Sequence, residues 1–226
     1  PKGRPWPATI IVAACALLLA GKVALFGYSP ANMNPRRLGL GIDAKSSPFA
    51  AADFLTGLPL LGRIYNTWGV GAALAWHWDG KPRIFSHGYV LEPRFFAEEV
   101  MRPTFQVKAW DDLVQRYGID AVIAPPSELG WKGWKKNLYR PAWRLVYWTD
   151  GAMVFLRVRD EYRELLERYE YRYLDTVSDK LAKGLKTDPV RVKYEAARLL
   201  REAGEGSLAG DFAQRVLGTE VDRIVR

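Results

Sequence analysis

The chain has 226 residues, is 49% hydrophobic and carries a formal net charge of +8. It is too apolar and aromatic to be disordered and long enough for one ordinary core with an appendage. The basic excess favours lipid headgroups, an acidic protein face or nucleic acid as partners, but no arginine-rich run or nucleic-acid motif accompanies it, and no nucleic-acid partner is expected. The lone cysteine, Cys15, excludes an intramolecular disulfide and a CxxC metal site.

The first predicted element is an apolar run over residues 8–28 that is long enough to cross a bilayer as a helix. It predicts a single transmembrane anchor over residues 1–28. A signal peptide is the alternative, with Lys2 and Arg4 as its basic end. Lys22, the one charge of the run, either snorkels to the interface or meets a polar group of a neighbouring helix. The flanking basic residues do not decide the orientation.

A connector over 29–47 leads to a predicted α/β domain over 48–159. Its segments alternate as β-α-β-α-β-α-β-β, which predicts a Rossmann-like three-layer sandwich with a mostly parallel sheet and a terminal antiparallel hairpin. The hairpin is the clearest local pattern, because Thr149-Asp150-Gly151 separates two apolar runs. The predicted strands are 63–66, 83–86, 120–124, 144–148 and 152–158, and the predicted helices are 48–58, 69–78, 93–101, 110–117 and 129–139.

The composition changes at Asp160, and residues 160–226 predict a helical tail. Its predicted helices are 161–174, 190–203 and 207–217, the second of which starts at the capping sequence Thr187-Asp188-Pro189. The last two helices are similar to one tetratricopeptide unit, with Ala197 and Ala209 near the small packing positions. A single unit cannot bury its own face, so we expect it to lean on the α/β domain or on a partner.

Gly69 and Gly71 lie in a strand–turn–helix segment and predict a weak anion site at the start of the helix. The dinucleotide fingerprint is incomplete, because Leu74 stands where its third glycine is required. Tight packing of the helix on the sheet is the favoured interpretation of the two glycines. The two histidines, His77 and His87, are interpreted as ordinary surface or core residues, since two histidines without cysteine make a poor metal site.

Three further charged clusters have simple interpretations. Asp111-Asp112 is typical of a helix start, and Glu98-Glu99 of a solvated helix face. The basic and aromatic cluster over 131–136 suits a membrane interface, a glycan or an anionic lipid, whereas a helix that buries both tryptophans is the alternative. The candidate interaction residues are Lys22, Trp131, Lys132, Trp134, Lys135 and Lys136. No catalytic constellation, metal set or cofactor motif emerges from the sequence, and no cofactor is expected.

Three segments, 62–89, 110–126 and 143–158, follow a recurring bacterial pattern. The residues that fit it are Asn66, Gly69, Leu74, Trp76, Phe85, Tyr117, Asp120, Trp143, Tyr147 and Asp150. On these positions, residues 48–158 resemble the extracytoplasmic C-terminal domain of bacterial GT-C-type, mannosyltransferase-like polytopic membrane proteins. The sequence departs from the pattern at 86–89, where Ser-His-Gly-Tyr replaces acidic and arginine positions.

The resemblance implies that the α/β domain lies on the periplasmic side of a bacterial inner membrane, after the last transmembrane helix of the family. It also implies that the catalytic carboxylates belong to an N-terminal multi-helix domain, which is not in this sequence. We therefore expect a single-pass, non-enzymatic accessory or scaffold subunit of a respiratory, photosynthetic or envelope complex. Its expected partners are other membrane-protein subunits and the lipid bilayer, including anionic lipid. The alternatives are an acceptor-binding domain of a lipid-linked-sugar GT-C glycosyltransferase and a phosphate- or nucleotide-binding module at Gly69.

Overall fold

The computed structural model describes residues 6–26, 47–88, 92–129, 132–174 and 178–224. Within these ranges, helical side chains are described except at 6–9, 23–26, 132, 178–179 and 219–224. The chain divides into two compact units, Pro1–Ile42 and Asp43–Arg226. The division falls inside the predicted connector over 29–47, which lies outside the described residues apart from Ser47.

In the first unit, the described residues form the helix α1 (Trp6–Phe26), so the helical conformation predicted for the apolar run is confirmed over 8–26. Residues 10–20 are exposed along their whole length, as in Leu17 and Leu18. Among the described residues, no helix combines the length and hydropathy needed to cross a membrane.

The second unit is built on a four-stranded mixed sheet. The strands are β1 (Arg63–Asn66), β2 (Ile119–Ala124), β3 (Trp143–Trp148) and β4 (Met153–Arg157), in the order β1-β2-β4-β3. Only the β1–β2 pair is parallel, while β2–β4 and β3–β4 are antiparallel. The α/β class and the hairpin are confirmed, but the mostly parallel sheet was a wrong prediction. The hairpin joins the sheet through its second strand, and β4 therefore separates β2 from β3.

The predicted strand over 83–86 is also wrong, because the side chain of Asn66 binds the backbone groups of this segment. Phe85 N donates to Asn66 Oδ1 at 2.6 Å, and Asn66 Nδ2 donates to the Ser86 carbonyl at 2.6 Å. Ser86 Oγ in turn donates to the Asn66 carbonyl. A buried side chain thus replaces the ladder that a fifth strand would need.

Helices flank the strands of the α/β region except between β3 and β4, which the hairpin turn joins directly. They are α2 (Phe49–Thr56), α3 (Trp68–His77), α4 (Pro93–Phe95), a π-helix (Phe96–Met101), α5 (Arg102–Phe105), α6 (Val107–Tyr117), α7 (Pro126–Leu129) and α8 (Lys132–Leu138). The helices predicted over 48–58, 69–78 and 110–117 are confirmed with small shifts. Gly118 ends α6 at a φ of 61°, a left-handed conformation in which glycine is favoured.

The tail begins with a 3₁₀ turn (Asp160–Tyr162) and continues as α9 (Arg163–Tyr169), α10 (Ser178–Thr187), α11 (Pro189–Ala203) and α12 (Leu208–Ile224). The helix predicted over 161–174 ends at Tyr169, and α10 was not predicted. Residues 172–174 leave the helix because the Glu195 carboxylate accepts their backbone N–H groups at 2.9–3.0 Å.

Helices pack on both faces of the sheet. One buried cluster joins Ala121 and Val154 to α2, α3 and α9. The other joins Val122 and Phe155 to α6, α8 and the tail helices α11 and α12. The helix pair therefore leans on the α/β core, one of the two arrangements expected for it. The predicted boundary between residues 159 and 160 stays a prediction.

Candidate functional site

The candidate site lies at the carboxyl end of the parallel pair β1–β2, where α3 begins. The chain leaves β2 through Pro125 and turns in α7, which carries Glu128 to the first turn of α3. Gly69 N donates to Glu128 Oε1 at 2.9 Å. The carboxylate thus meets the positive end of the α3 dipole, where an anion is stabilised.

Glu128 is in an electrostatically unusual position. Burial raises the pKa of its carboxyl, while the hydrogen bond from Gly69 lowers it to a smaller extent. Burial also raises the pKa of the neighbouring Tyr65 phenol, and the charge of Glu128 raises it further. The Tyr65 side chain is fully buried, and its hydroxyl has no hydrogen-bond partner among the described residues. The arrangement therefore places an acidic oxygen of the protein where an external anion would bind α3.

The two glycines of the predicted anion site allow other segments of the chain to pack closely against the start of α3. A Cβ at Gly69 would collide with Glu128 Oε1, and a Cβ at Gly71 would collide with the Ser86 carbonyl. These contacts agree with the packing interpretation of the glycines. The anion site at Gly69 and Gly71 stays a prediction. Glu128 itself was missed, although a parallel β1–β2 pair brings the segments after both strands to the same edge.

Asp120 is a fully buried carboxylate at the start of β2. Arg159 Nη1 donates to its two oxygens at 3.0 and 3.1 Å, and the Tyr162 hydroxyl donates to Oδ2 at 2.5 Å. The same hydroxyl accepts from Leu61 N at 2.8 Å. Asp120 therefore joins the segments before β1 and after β4, and both its oxygens are occupied.

Asp150 in the hairpin turn binds the start of α12. Its two carboxylate oxygens accept from Leu208 N at 2.7 Å and from Ala209 N at 2.9 Å. These N–H groups belong to the first turn of α12, where no intrahelical acceptor exists for them. Asp150 is therefore a cap supplied from elsewhere in the chain, and it fixes the helix pair to the sheet.

A charged groove of about 730 Å³ runs between the π-helix and α6. Its charges are largely paired: Arg102 with Glu98 at 2.8 Å, Arg116 with Glu99 at 2.6 Å and Lys108 with Asp112 at 2.9 Å. The sequence predicted Glu98-Glu99 as a solvated face and missed the groove. Pro103 could have indicated this irregularity in the sequence, because proline supplies no N–H to a regular helix. The π-helix is seen in the hydrogen bond of Arg102 N, which donates five residues back to Ala97 O.

The basic and aromatic cluster divides between core and surface. Trp134 is 1% exposed and packs against Tyr65 and Trp110, so its ring belongs to the core and not to an interaction surface. Lys135 and Lys136 are exposed on α8, and Lys22 is exposed on α1. Trp131 and the side chain of Lys132 lie outside the described residues.

The histidines occupy different settings. His77 Nε2 lies 2.7 Å from Asp53 Oδ1, and its ring stacks on Phe49 with centroids 4.6 Å apart. His87 is exposed. Over the described part of the chain, no group of histidine, cysteine and acidic side chains has the arrangement of a metal site.

Comparison with known proteins found no matching family model, no similar curated protein and no similar solved structure. The resemblance to the GT-C-type domain therefore stays a prediction.

Proposed function

We propose that this chain is a non-enzymatic accessory subunit of a bacterial membrane assembly, anchored by α1 and carrying its α/β domain and tail outside the cytoplasm. The proposal rests on what the polar residues that carry the resemblance do in the structure. Asn66, Asp120 and Asp150 are all engaged in hydrogen bonds within the protein. These residues act in holding the fold together, which suits a scaffold.

The proposed membrane anchor draws on the length and exposed surface of α1, since none of the described helices reaches the hydropathy of a membrane span. Its 21 residues extend about 31 Å at 1.5 Å per residue, which is close to the thickness of the hydrocarbon core. A helix that is apolar on all sides requires lipid or protein around it, and residues 10–20 expose their side chains. The periplasmic side is inferred from the resemblance, and a Rossmann-like layering of the domain from the alternation of strands and helices in the sequence.

Fractionation tests the anchor. We expect the full chain to stay with the membrane after an alkaline wash, and Leu18→Arg combined with Leu19→Arg to release it, because each arginine costs about 2.5–3.5 kcal/mol at the centre of a span. Leu61→Arg is the matched control, since Leu61 is as exposed as Leu18 but lies outside α1. Release of the unaltered chain by the wash would refute the anchor.

The side of the membrane is tested by labelling. In a Cys15→Ser background, Lys135→Cys on the exposed face of α8 should react with an impermeant maleimide in intact spheroplasts. Labelling only after lysis would place the domain in the cytoplasm.

The accessory role is tested by the size of the native particle. At native expression and in mild detergent, the chain should migrate within a larger assembly, and migration as a lone monomer would refute the role. The acceptor-binding alternative draws on the resemblance alone. It predicts that a lipid-linked sugar raises the melting temperature of the purified chain.

A further inference from the structure

One face of α11 carries a narrow stripe of side chains that the packing of the tail does not use. It consists of Val190, Tyr194, Ala197 and Arg201, called here the α11 stripe, and all four are exposed. Their spacing of four, three and four residues places them in one line about 16 Å long. This is the spacing of a seam between two helices.

Two residues of the α11 stripe, one aliphatic and one aromatic, are largely exposed. Val190 is 77% exposed and Tyr194 is 48% exposed, whereas Val192, Ala196 and Leu199 on the opposite face are buried in the core. One face of α11 therefore satisfies the fold. The α11 stripe is a second, partly apolar line on the same helix.

Tyr194 is held in position before any partner arrives. The Arg191 guanidinium lies 5.2 Å from the centre of the Tyr194 ring. Arg191 is itself fixed, because it donates to Glu195 Oε1 at 3.0 Å and to the Glu170 carbonyl at 2.8 Å. A side chain that is ordered in advance loses less entropy on binding.

Both acidic residues of α11 are engaged within the fold. Glu195 is fully buried, and its carboxylate accepts three backbone N–H groups and the Arg191 side chain. Glu202 accepts from the Tyr171 hydroxyl at 2.6 Å and pairs with Arg198. Arg201 remains exposed, and it is the charged residue of the stripe.

We propose that the α11 stripe binds an amphipathic helix of another subunit of the assembly, with acidic side chains of that helix facing Arg201. The inference rests on the proposed function, which supplies the assembly. A helix fits better than a membrane surface, because the stripe is one side chain wide and contains one aromatic residue. Helices that bind membrane surfaces present a broad face rich in bulky apolar residues.

Photo-crosslinking in native membranes tests the proposal. We expect Tyr194→p-benzoylphenylalanine in the full chain to give an adduct with one protein, at a helical segment that carries Asp or Glu. The same substitution at Gln115, an exposed position on α6, is the control and should give no adduct with that segment. Arg201→Glu should reduce the Tyr194 adduct at least tenfold, and reversal of an acidic residue in the partner segment should restore it.

The outcomes separate the two proposals. An adduct with lipid only, with a segment that lacks acidic residues, or of undiminished yield in Arg201→Glu would overturn the helix-binding proposal, as would the absence of an adduct. If the unaltered chain migrates in a larger assembly while Tyr194 gives no adduct, only the α11 proposal fails. If the chain migrates as a monomer, the accessory role fails first.

Discussion

Replacement of Glu195 by glutamine should destabilise the protein by about 3 kcal/mol. Glu195 Oε1 accepts from Arg172 N and Arg191 Nε, and Oε2 accepts from Tyr173 N and Leu174 N. Glutamine keeps one oxygen and presents an NH₂ group to the other two donors. Each donor that loses its acceptor costs about 1–3 kcal/mol. We expect the lower half of the resulting range, because the hydrogen bond of Arg172 N is only part-buried and its loss costs less than that of a fully buried one.

The effect is measured by thermal unfolding of the full chain, followed by the fluorescence of its nine tryptophans. For a domain of this size, 3 kcal/mol lowers the melting temperature by roughly 6–12 °C. Amide hydrogen exchange should accelerate at residues 172–174 in particular. Glu167→Gln, at an exposed position on α9, is the matched control and should stay within about 0.5 kcal/mol of the parent. A Glu195→Gln protein as stable as this control, or unchanged protection at 172–174, would refute the reasoning.

Three further predictions concern the site at the start of α3. Gly71→Ala should cost about 1–3 kcal/mol, because its Cβ meets the Ser86 carbonyl, whereas Gly218→Ala in α12 meets open space and should stabilise by up to about 1 kcal/mol; equal melting temperatures for the two variants would contradict this. Tyr65→Phe should be neutral or stabilising by about 1 kcal/mol in urea denaturation, since the lost hydroxyl has no partner among the described residues; a loss above 1 kcal/mol would reveal one. Burial raises the pKa of Glu128 above its usual 4.5, so the native protein binds this proton more tightly than the unfolded protein does. The stability that this proton contributes is present below pH 4.5 and is lost as the pH rises through the native pKa. Glu128→Gln should therefore gain stability relative to the parent between pH 4 and pH 7 in thermal melts, and a relative loss over that interval would show that the ionised form is the favoured one.

The elements that the sequence predicted correctly are those with local causes. Asp150-Gly151 identified the β3–β4 hairpin, and Gly118 identified the end of α6. The order of the strands has no local cause. The apolar run of β4 suits a sheet edge and a sheet centre equally, and its place beside β2 depends on pairing across about 30 residues of chain.

The wrong predictions of a strand over 83–86 and of a helix to residue 174 have the same cause. In each case a polar side chain binds backbone groups that are distant in the sequence. Asn66 takes the N–H and carbonyl groups of 85–86, and Glu195 takes the N–H groups of 172–174. In both segments the local pattern favoured regular structure. The side chain that competes with regular structure for these backbone groups lies about 20 residues away in the sequence, so the local periodicity does not reveal it.

The sequence predicted the local structure of the segment at the candidate site but missed its main residue. The segment around Gly69 and Gly71 was recognised as a strand–turn–helix start, and the packing interpretation of its glycines agrees with their contacts. Glu128 carries no motif, and its role follows only from the parallel pairing of β1 with β2. Trp134 shows the converse: a basic and aromatic sequence suits a surface, but the ring fills the core beside Trp110.

The polar residues of the resemblance share a mechanical role. Asn66 bridges 20 positions of the chain, Asp120 bridges 39 to Arg159, and Asp150 bridges 58 to Leu208. Each closes a long loop against the sheet, and the loss of any of them would leave buried or helix-terminal groups unpaired. These contacts account for Asn66, Asp120 and Asp150 by the folding of this chain. Under the proposed accessory role, function is expected on surfaces that the packing leaves exposed, and the α11 stripe is such a surface.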